Sequence, residues 1–334
     1  MSLAVPPRAS SEDLAANVGQ LLREGLPAGT TVTIRDVERT FGGNARQAWT
    51  LTATISSGGT ESREELILLV RGRGSQVLTR PEQEHAALDG LAEQGVRAPR
   101  IWGHDPSGRL FAGPAVLLQR LSGETDAVAF LGADLAVGRA RTLDLARALA
   151  ELHRVRVPDL DAGGATVDSV RSEFRSVRRE PWPTLGWVLN WLEDHQPTDA
   201  PRTLVHGDFR PGNVLFGGDR IVGILDWELA HVGDPAEDIA WAYRRLWSPE
   251  RFVGLDEFVD TYQAAGGVPV EADRLRWHRV YAEVRFAVIS LRASGSFADG
   301  STRNLRLIDR ARTVVSSLQT SLAMIDESER VLSR

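Results

Sequence analysis

The 334-residue chain contains no cysteine and no lysine. Without cysteine there are no disulfides, no thiolate metal sites and no thiol nucleophile. Any metal must be held by oxygen or imidazole, which favours a hard cation such as Mg²⁺ over structural zinc. Without lysine, all 39 basic residues are arginine. Schiff-base chemistry and a P-loop lysine are therefore excluded. A phosphate clamp, if present, must be an arginine, whose planar fork holds phosphate oxygens bidentately. No apolar run is long enough to span a bilayer and no signal peptide is evident, so the expectation is a cytoplasmic protein with no membrane partner. A net charge of −6 argues against a nucleic-acid partner bound by bulk electrostatics.

Hydrophobic residues make up 42% and charged residues 25%, ordinary values for a globular chain long enough to form two lobes. Residues 1–10 are polar with a Pro-Pro pair and are expected to form a flexible tail. Residues 11–120 read as a small α+β lobe. A short amphipathic helix leads into strands at 31–37, 49–55 and 66–70, a helix over 81–94 and a strand at 115–118. The run Leu66-Ile67-Leu68-Leu69-Val70 is continuously apolar and predicts a strand buried on both faces. Residues 121–334 are mainly helical, with apolar stripes over 143–153, 183–193, 255–264, 271–293 and 304–322. Asp234-Pro235-Ala236-Glu237 predicts a helix start, with Asp234 as cap and Glu237 closing a capping box.

The densest signal is Leu204-Val205-His206-Gly207-Asp208-Phe209-Arg210-Pro211-Gly212-Asn213, followed by Gly223-Ile224-Leu225-Asp226-Trp227-Glu228. Asp, Asn and a second Asp at this spacing suit kinase-type phosphoryl transfer. Asp208 can accept the proton of an attacking hydroxyl, with His206 and Arg210 beside it in the same loop. Asn213 and Asp226 supply hard oxygen ligands for Mg²⁺ bridging nucleotide phosphates. The apolar runs 214–216 and 221–224 flank Gly217-Gly218-Asp219 and predict a hairpin that returns Asp226 to Asn213. His206 is expected to brace the loop rather than to move protons. Asp238 can hold the loop backbone, and Glu228 is a further metal-site or supporting carboxylate.

Around this core stand weaker candidates for nucleotide binding. Gly42 and Gly43, between the first two strands, can bring backbone N–H groups close to phosphates. Arg71 ends the apolar strand and can reach the phosphates, with Arg73 as its rival; Glu84 in the next helix, with Glu82 as the alternative, can orient that arginine through an ion pair. Gln119 to Leu121 end a strand where backbone groups can meet a purine edge. His153 on its apolar stripe reads as a satisfied core histidine, and Trp182, Trp187 and Trp191 read as core, with the lining of a substrate pocket as the alternative.

These blocks, with Gly233-Asp234-Pro235-Ala236-Glu237-Asp238-Ile239-Ala240-Trp241, resemble the aminoglycoside phosphotransferase family. They most resemble the branch that contains the kinase-like N-terminal domain of some acyl-CoA dehydrogenases. The resemblance implies a bilobal protein-kinase-like fold, with nucleotide between the lobes. It implies Asp208 as catalytic base, Asn213 and Asp226 as magnesium ligands, and Arg71 with Glu84 as the strand cation and its helix partner. The glycine segment departs from the family, where a Ser-Asn pair is more usual than Gly43-Asn44-Ala45. The reading is an Mg²⁺-dependent phosphotransferase that moves the γ-phosphate of ATP or GTP to a hydroxyl of a small molecule. Aminoglycosides, hydroxy acids, hydroxyacyl thioesters and amino alcohols are the candidate acceptors. The competing reading is a nucleotide-binding regulator without useful transfer activity.

Overall fold

The structure is a computed structural model and describes residues 11–40, 46–71, 81–156, 160, 166–300 and 305–332. Residues 1–10, Gly42, Gly43 and Arg73 lie outside the described residues. The chain folds into two compact units. One comprises Met1–Thr125 with Asn213–Ala230, the other Asp126–Gly212 with His231–Arg334.

The first unit is built on a five-stranded antiparallel sheet of order β1-β2-β3-β5-β4. Its strands are β1 Thr31–Thr40, β2 Arg46–Ser57, β3 Thr60–Arg71, β4 Ile101–Asp105 and β5 Ala115–Gln119. Along β3 the period-two pleat buries Leu66, Leu68 and Val70 on one face, while Ile67, Leu69 and Arg71 stay half-buried on the other. The apolar run is thus core on one side only, unlike the expectation from its composition. Helix α1 (Ser11–Glu24) covers the buried face with Leu14, Val18, Leu21 and Leu22. Four such aliphatic side chains contribute about 1.5–3 kcal/mol each. Helix α2 (Pro81–Leu88) is shorter than its sequence suggests, because the chain passes into turns and Gly90 takes a φ of +71°.

Residues 213–230 group with this first unit, whereas a division at residue 120 by chain order would separate them. The cause is pairing. Strands β7 (Val214–Gly217) and β8 (Arg220–Ile224) form the expected hairpin, with Gly218 at a φ of +64° in the turn. Phe216 and Glu124 exchange backbone hydrogen bonds of 2.9 Å in both directions, and Ile224 N–H donates to the Arg97 carbonyl at 2.6 Å.

The second unit is mainly helical. Its helices are α3 Ala127–Leu131, α4 Leu135–His153, α5 Val167–Val177, α6 Pro183–Asp194, α7 Ala236–Ala242, α8 Leu255–Ala264, α9 Ala272–Ala298 and α10 Leu305–Leu332. Helices α5, α6, α9 and α10 enclose its main core around Leu189, Trp277, Tyr281 and Leu318. Trp191 belongs to that core and Trp182 packs against it, but Trp187 is 47% exposed. A short antiparallel pair, β6 (Thr203–Val205) with β9 (His231–Gly233), frames the segment that carries His206 and Asp208. Together the two units give the expected α+β class: a β-rich unit and a larger helical one.

Candidate active site

Asp208 lies just beyond β6, in a loop made possible by Gly207, whose φ of +78° is open to glycine at little cost. The loop is fixed from below by Asp238 on α7. This fully buried carboxylate accepts the His206 N–H at 2.7 Å and the Gly207 N–H at 2.9 Å. His153 Nε2 lies 3.2 Å from the same carboxylate, and its Nδ1 lies 2.9 Å from the Tyr262 hydroxyl. Burial alone would raise the Asp238 pKa. The hydrogen bond and charge of His153, aided by His206, more than offset this and hold it below the ordinary carboxylate range. The carboxylate is thus ionised where two amide donors need an acceptor. His153 is the satisfied core histidine its stripe implied, and it serves this brace.

Arg285 on α9 adds a second tie. Its Nη1 donates to the Gly207 carbonyl at 3.0 Å and to Glu237 at 3.2 Å. Glu237 also meets His231 Nε2 at 3.1 Å. Its carboxylate is therefore spent on these two partners and does not close a capping box, although Asp234 does accept the Ala236 N–H at 2.9 Å.

The Asp208 carboxylate is held from two sides. Trp241 Nε1 donates to Oδ1 at 2.6 Å, and Arg210 Nε lies 3.1 Å from Oδ1 and 3.3 Å from Oδ2. Both donors restrict its rotation. The ring nitrogen Nδ1 of buried His206 accepts the Asp208 N–H at 3.2 Å, which is a bracing geometry. Trp241 in turn packs against Trp247 and Phe286, and the Arg285 guanidinium lies 4.7 Å over its ring. Trp241 was not singled out in the sequence, since only the tertiary fold turns its indole toward Asp208.

In the first unit, the β7–β8 hairpin sets the Asn213 carbonyl 2.8 Å from the Leu225 N–H, one residue before Asp226. Asp226 has a left-handed backbone, φ 66° and ψ 61°. A non-glycine residue there stores strain of order 1 kcal/mol, which places its carboxylate where a relaxed backbone would not. Asn213 and Asp226 offer an amide and a carboxylate oxygen, with no sulfur or imidazole between them. Among the described residues no group of three or more His, Asp or Glu side chains is arranged to hold a metal. A pair of oxygen ligands without a closed cage is what Mg²⁺ takes when phosphates and water complete its shell.

Glu84 does hold an arginine, but that arginine is Arg46 at the start of β2 and not Arg71 at the end of β3. Arg46 Nη1 donates to Glu84 at 2.7 Å, and its Nη2 and Nε donate to Glu228 at 2.7 and 3.2 Å. Asp226 Oδ1 lies 3.7 Å away. Glu228, weighed as a metal ligand, is thus engaged by Arg46. Arg71 is the direct cross-strand partner of Arg46, and both line a small cavity of about 20 Å³ together with Glu84 and Ala115. Gln119 is exposed at the end of β5, opposite Leu66. Leu121 packs over Gly223 of β8, where an added Cβ would come within 2.6 Å of Leu121 Cδ1.

The sequence profile of the phosphotransferase enzyme family matches residues 58–281. The chain belongs to the phosphotransferase enzyme family. Two curated relatives frame this phosphotransferase-family chain. Acyl-CoA dehydrogenase family member 10 of Mus musculus is 26% identical over 209 residues, covering 59% of this chain and 20% of that protein. Homoserine kinase of Beijerinckia indica is 32% identical over 166 residues, covering 46% of this chain and 49% of the kinase. The aligned parts thus span about a fifth and about half of those relatives. A Ralstonia eutropha protein assigned to the aminoglycoside phosphotransferases shares the fold with a TM-score of 0.73 at 18% identity, covering 96% of this chain and 99% of that one. The protein-kinase-like architecture and the resemblance to the acyl-CoA dehydrogenase branch are both borne out. No helix among the described residues is long and apolar enough to cross a membrane.

Proposed function

We propose that this protein is a phosphotransferase that moves the γ-phosphate of ATP or GTP to a hydroxyl of a small molecule, with Mg²⁺ as cofactor. The observation that carries the reading is the treatment of Asp208. Its carboxylate is gripped by an indole N–H and a guanidinium, on a loop whose backbone is anchored to the buried Asp238. Such restraint suits a base that must meet one hydroxyl in one orientation.

In this reading the acceptor hydroxyl gives its proton to Asp208 as its oxygen bonds to the γ-phosphorus. The bond from that phosphorus to the β–γ bridging oxygen breaks, and the electron pair leaves with the nucleoside diphosphate. Asn213 and Asp226 would hold Mg²⁺, which neutralises charge on the phosphate oxygens. Asp208 orients the nucleophile, His206 and Asp238 fix the loop, and Arg210 holds the Asp208 carboxylate in place. Gly42, Gly43, Gln119 and Leu121 are proposed nucleotide contacts, and the phosphate clamp is an arginine of the Arg46–Arg71 pair beside Glu84. The name of the homoserine kinase relative points to a small amino alcohol with an acidic group as one acceptor to try.

The test is acceptor-stimulated release of ADP or GDP, measured against hydroxy acids, hydroxyacyl-CoAs, amino alcohols and aminoglycosides. Asp208→Asn should lower stimulated turnover by about 10³-fold or more, while nucleotide affinity changes less than about threefold. Equal turnover in that variant would remove Asp208 as the base. Nucleotide binding with no stimulation by any acceptor would favour a nucleotide-binding regulator.

A further inference from the structure

We propose that Arg46 on β2, and not Arg71 on β3, is the arginine that grips the nucleotide phosphates, and that it neutralises Asp226 and Glu228 when no nucleotide is bound. The inference rests on the phosphotransferase reading and assigns its phosphate clamp to a strand where the sequence did not place it.

Three observations support it. First, the Arg46 side chain is only 7% exposed and is ringed by three carboxylates, Glu84, Glu228 and Asp226. Second, the partners are arranged in order. Glu84, buried on α2, takes one end of the guanidinium, and Glu228 takes the other in a two-nitrogen grip. Asp226, the proposed metal ligand, stands at 3.7 Å, close enough for attraction but beyond a hydrogen bond. Third, Arg46 and Arg71 occupy directly opposed positions on neighbouring strands, so their side chains leave the same face of the sheet. Both therefore reach toward one small cavity, and Glu84 has selected Arg46.

The charge balance explains what the cluster is for. Three carboxylates around one guanidinium leave surplus negative charge, which suits an added divalent cation. A guanidinium has five N–H donors in a fixed fork. Arg46 can keep its bond to Glu84 and exchange its grip on Glu228 for phosphate oxygens. Glu84 then acts as the positioning residue. Because Arg46 and the metal both lean on Asp226, they compete in the absence of phosphate and cooperate in its presence.

The experiment is calorimetric titration of the full chain with Mg·ATP and Mg·GTP, and titration with Mn²⁺ alone followed by electron paramagnetic resonance. The proteins are wild type, Arg46→Gln, Arg46→Lys and Arg71→Gln. Arg46→Gln should weaken Mg-nucleotide binding by about 20-fold or more, Arg46→Lys by about fivefold, and Arg71→Gln by less than about threefold. Mn²⁺ alone should bind Arg46→Gln about fivefold more tightly than wild type, since the carboxylates have lost their counter-ion. The inference is overturned if Arg71→Gln is the variant that loses nucleotide, or if Arg46→Gln loosens Mn²⁺. Should circular dichroism show Arg46→Gln unfolded, Arg46→Lys against Arg71→Gln decides, and the larger loss must belong to Arg46→Lys. Wild type that binds neither nucleotide overturns this inference and the phosphotransferase reading together. Wild-type binding that all Arg46 variants retain overturns the inference alone.

Discussion

Replacing Asp238 by Asn should loosen the loop that carries Asp208 without touching any group proposed to meet substrate. The wild-type carboxylate accepts two backbone N–H groups, at 2.7 and 2.9 Å, and faces His153 Nε2 at 3.2 Å, all out of reach of water. A hydrogen bond to a buried charged acceptor contributes about 1.5–3 kcal/mol. The Asn side chain keeps one acceptor oxygen and turns an NH₂ toward a donor, so one amide bond is lost and another loses its charge assistance. The expected cost is about 3 kcal/mol, a factor of roughly 100 in a local opening equilibrium. Amide hydrogen exchange read by mass spectrometry should show it as about 100-fold lower protection confined to the 206–207 segment. The effect has a pH signature. Because the folded pKa of Asp238 is depressed, its contribution is fully present above the unfolded carboxylate value of about 3.9 and is lost as pH falls through the folded value. The gap between wild type and variant should therefore be constant from about pH 5 upward and close in stronger acid. Unchanged protection at 206–207 would refute the bracing role.

Two further outcomes follow from the helical unit. Trp241→Phe keeps a ring to pack on Trp247 and Phe286 but removes the N–H that Asp208 accepts at 2.6 Å; kcat/KM for the best acceptor should fall about tenfold, with the melting midpoint within a few degrees of wild type. A loss of fold rather than of rate would assign the indole to packing alone. Arg244 is buried, donates through Nη2 to Glu283 and Ser317 at 2.9 Å each, and lies over the Phe286 ring. Arg244→Met should destabilise by about 3–5 kcal/mol in urea unfolding, because Glu283 is left as an uncompensated buried charge. Adding Glu283→Met should recover most of that loss, and two additive losses would show the pair to be energetically uncoupled.

The catalytic segment was legible because chemistry and topology coincide there. Asp208, Asn213 and Asp226 have side chains suited to one reaction, and Gly217-Gly218-Asp219 between apolar runs can hardly form anything but a hairpin. Strand β4 was not legible. Ile101-Trp102-Gly103-His104-Asp105 has no alternation, and it forms because β5 offers an edge and Gly103 lets Leu21 approach, where an added Cβ would come within 2.7 Å. The choice of Arg46 over Arg71 was equally hidden. Arg71 follows from the sequence as a strand-end arginine, whereas Arg46 lies ahead of the strand read at 49–55, and which one meets Glu84 depends on a register set by twelve paired positions between β2 and β3. The α2 helix was overextended because residues 89–94 keep helical composition, and only the backbone shows Gly90 turning the chain away.

The return of residues 213–230 to the first unit makes that unit discontinuous in the gene. The residues from Asp126 to Gly212 are, for the sheet unit, an insertion whose two ends must be brought together before Phe216 can pair with Glu124. Closing a loop of that length costs about 4 kcal/mol of chain entropy, which only the hairpin's pairing and burial can repay. Neither unit can therefore be dissected by a single stop codon. A fragment ending at Thr125 would keep Arg46 and Glu84 but lack Asn213, Asp226 and Glu228, leaving the arginine with one acid where the whole protein gives it three. Co-expressing the missing hairpin, rather than lengthening the fragment residue by residue, is what would restore its balance of charge.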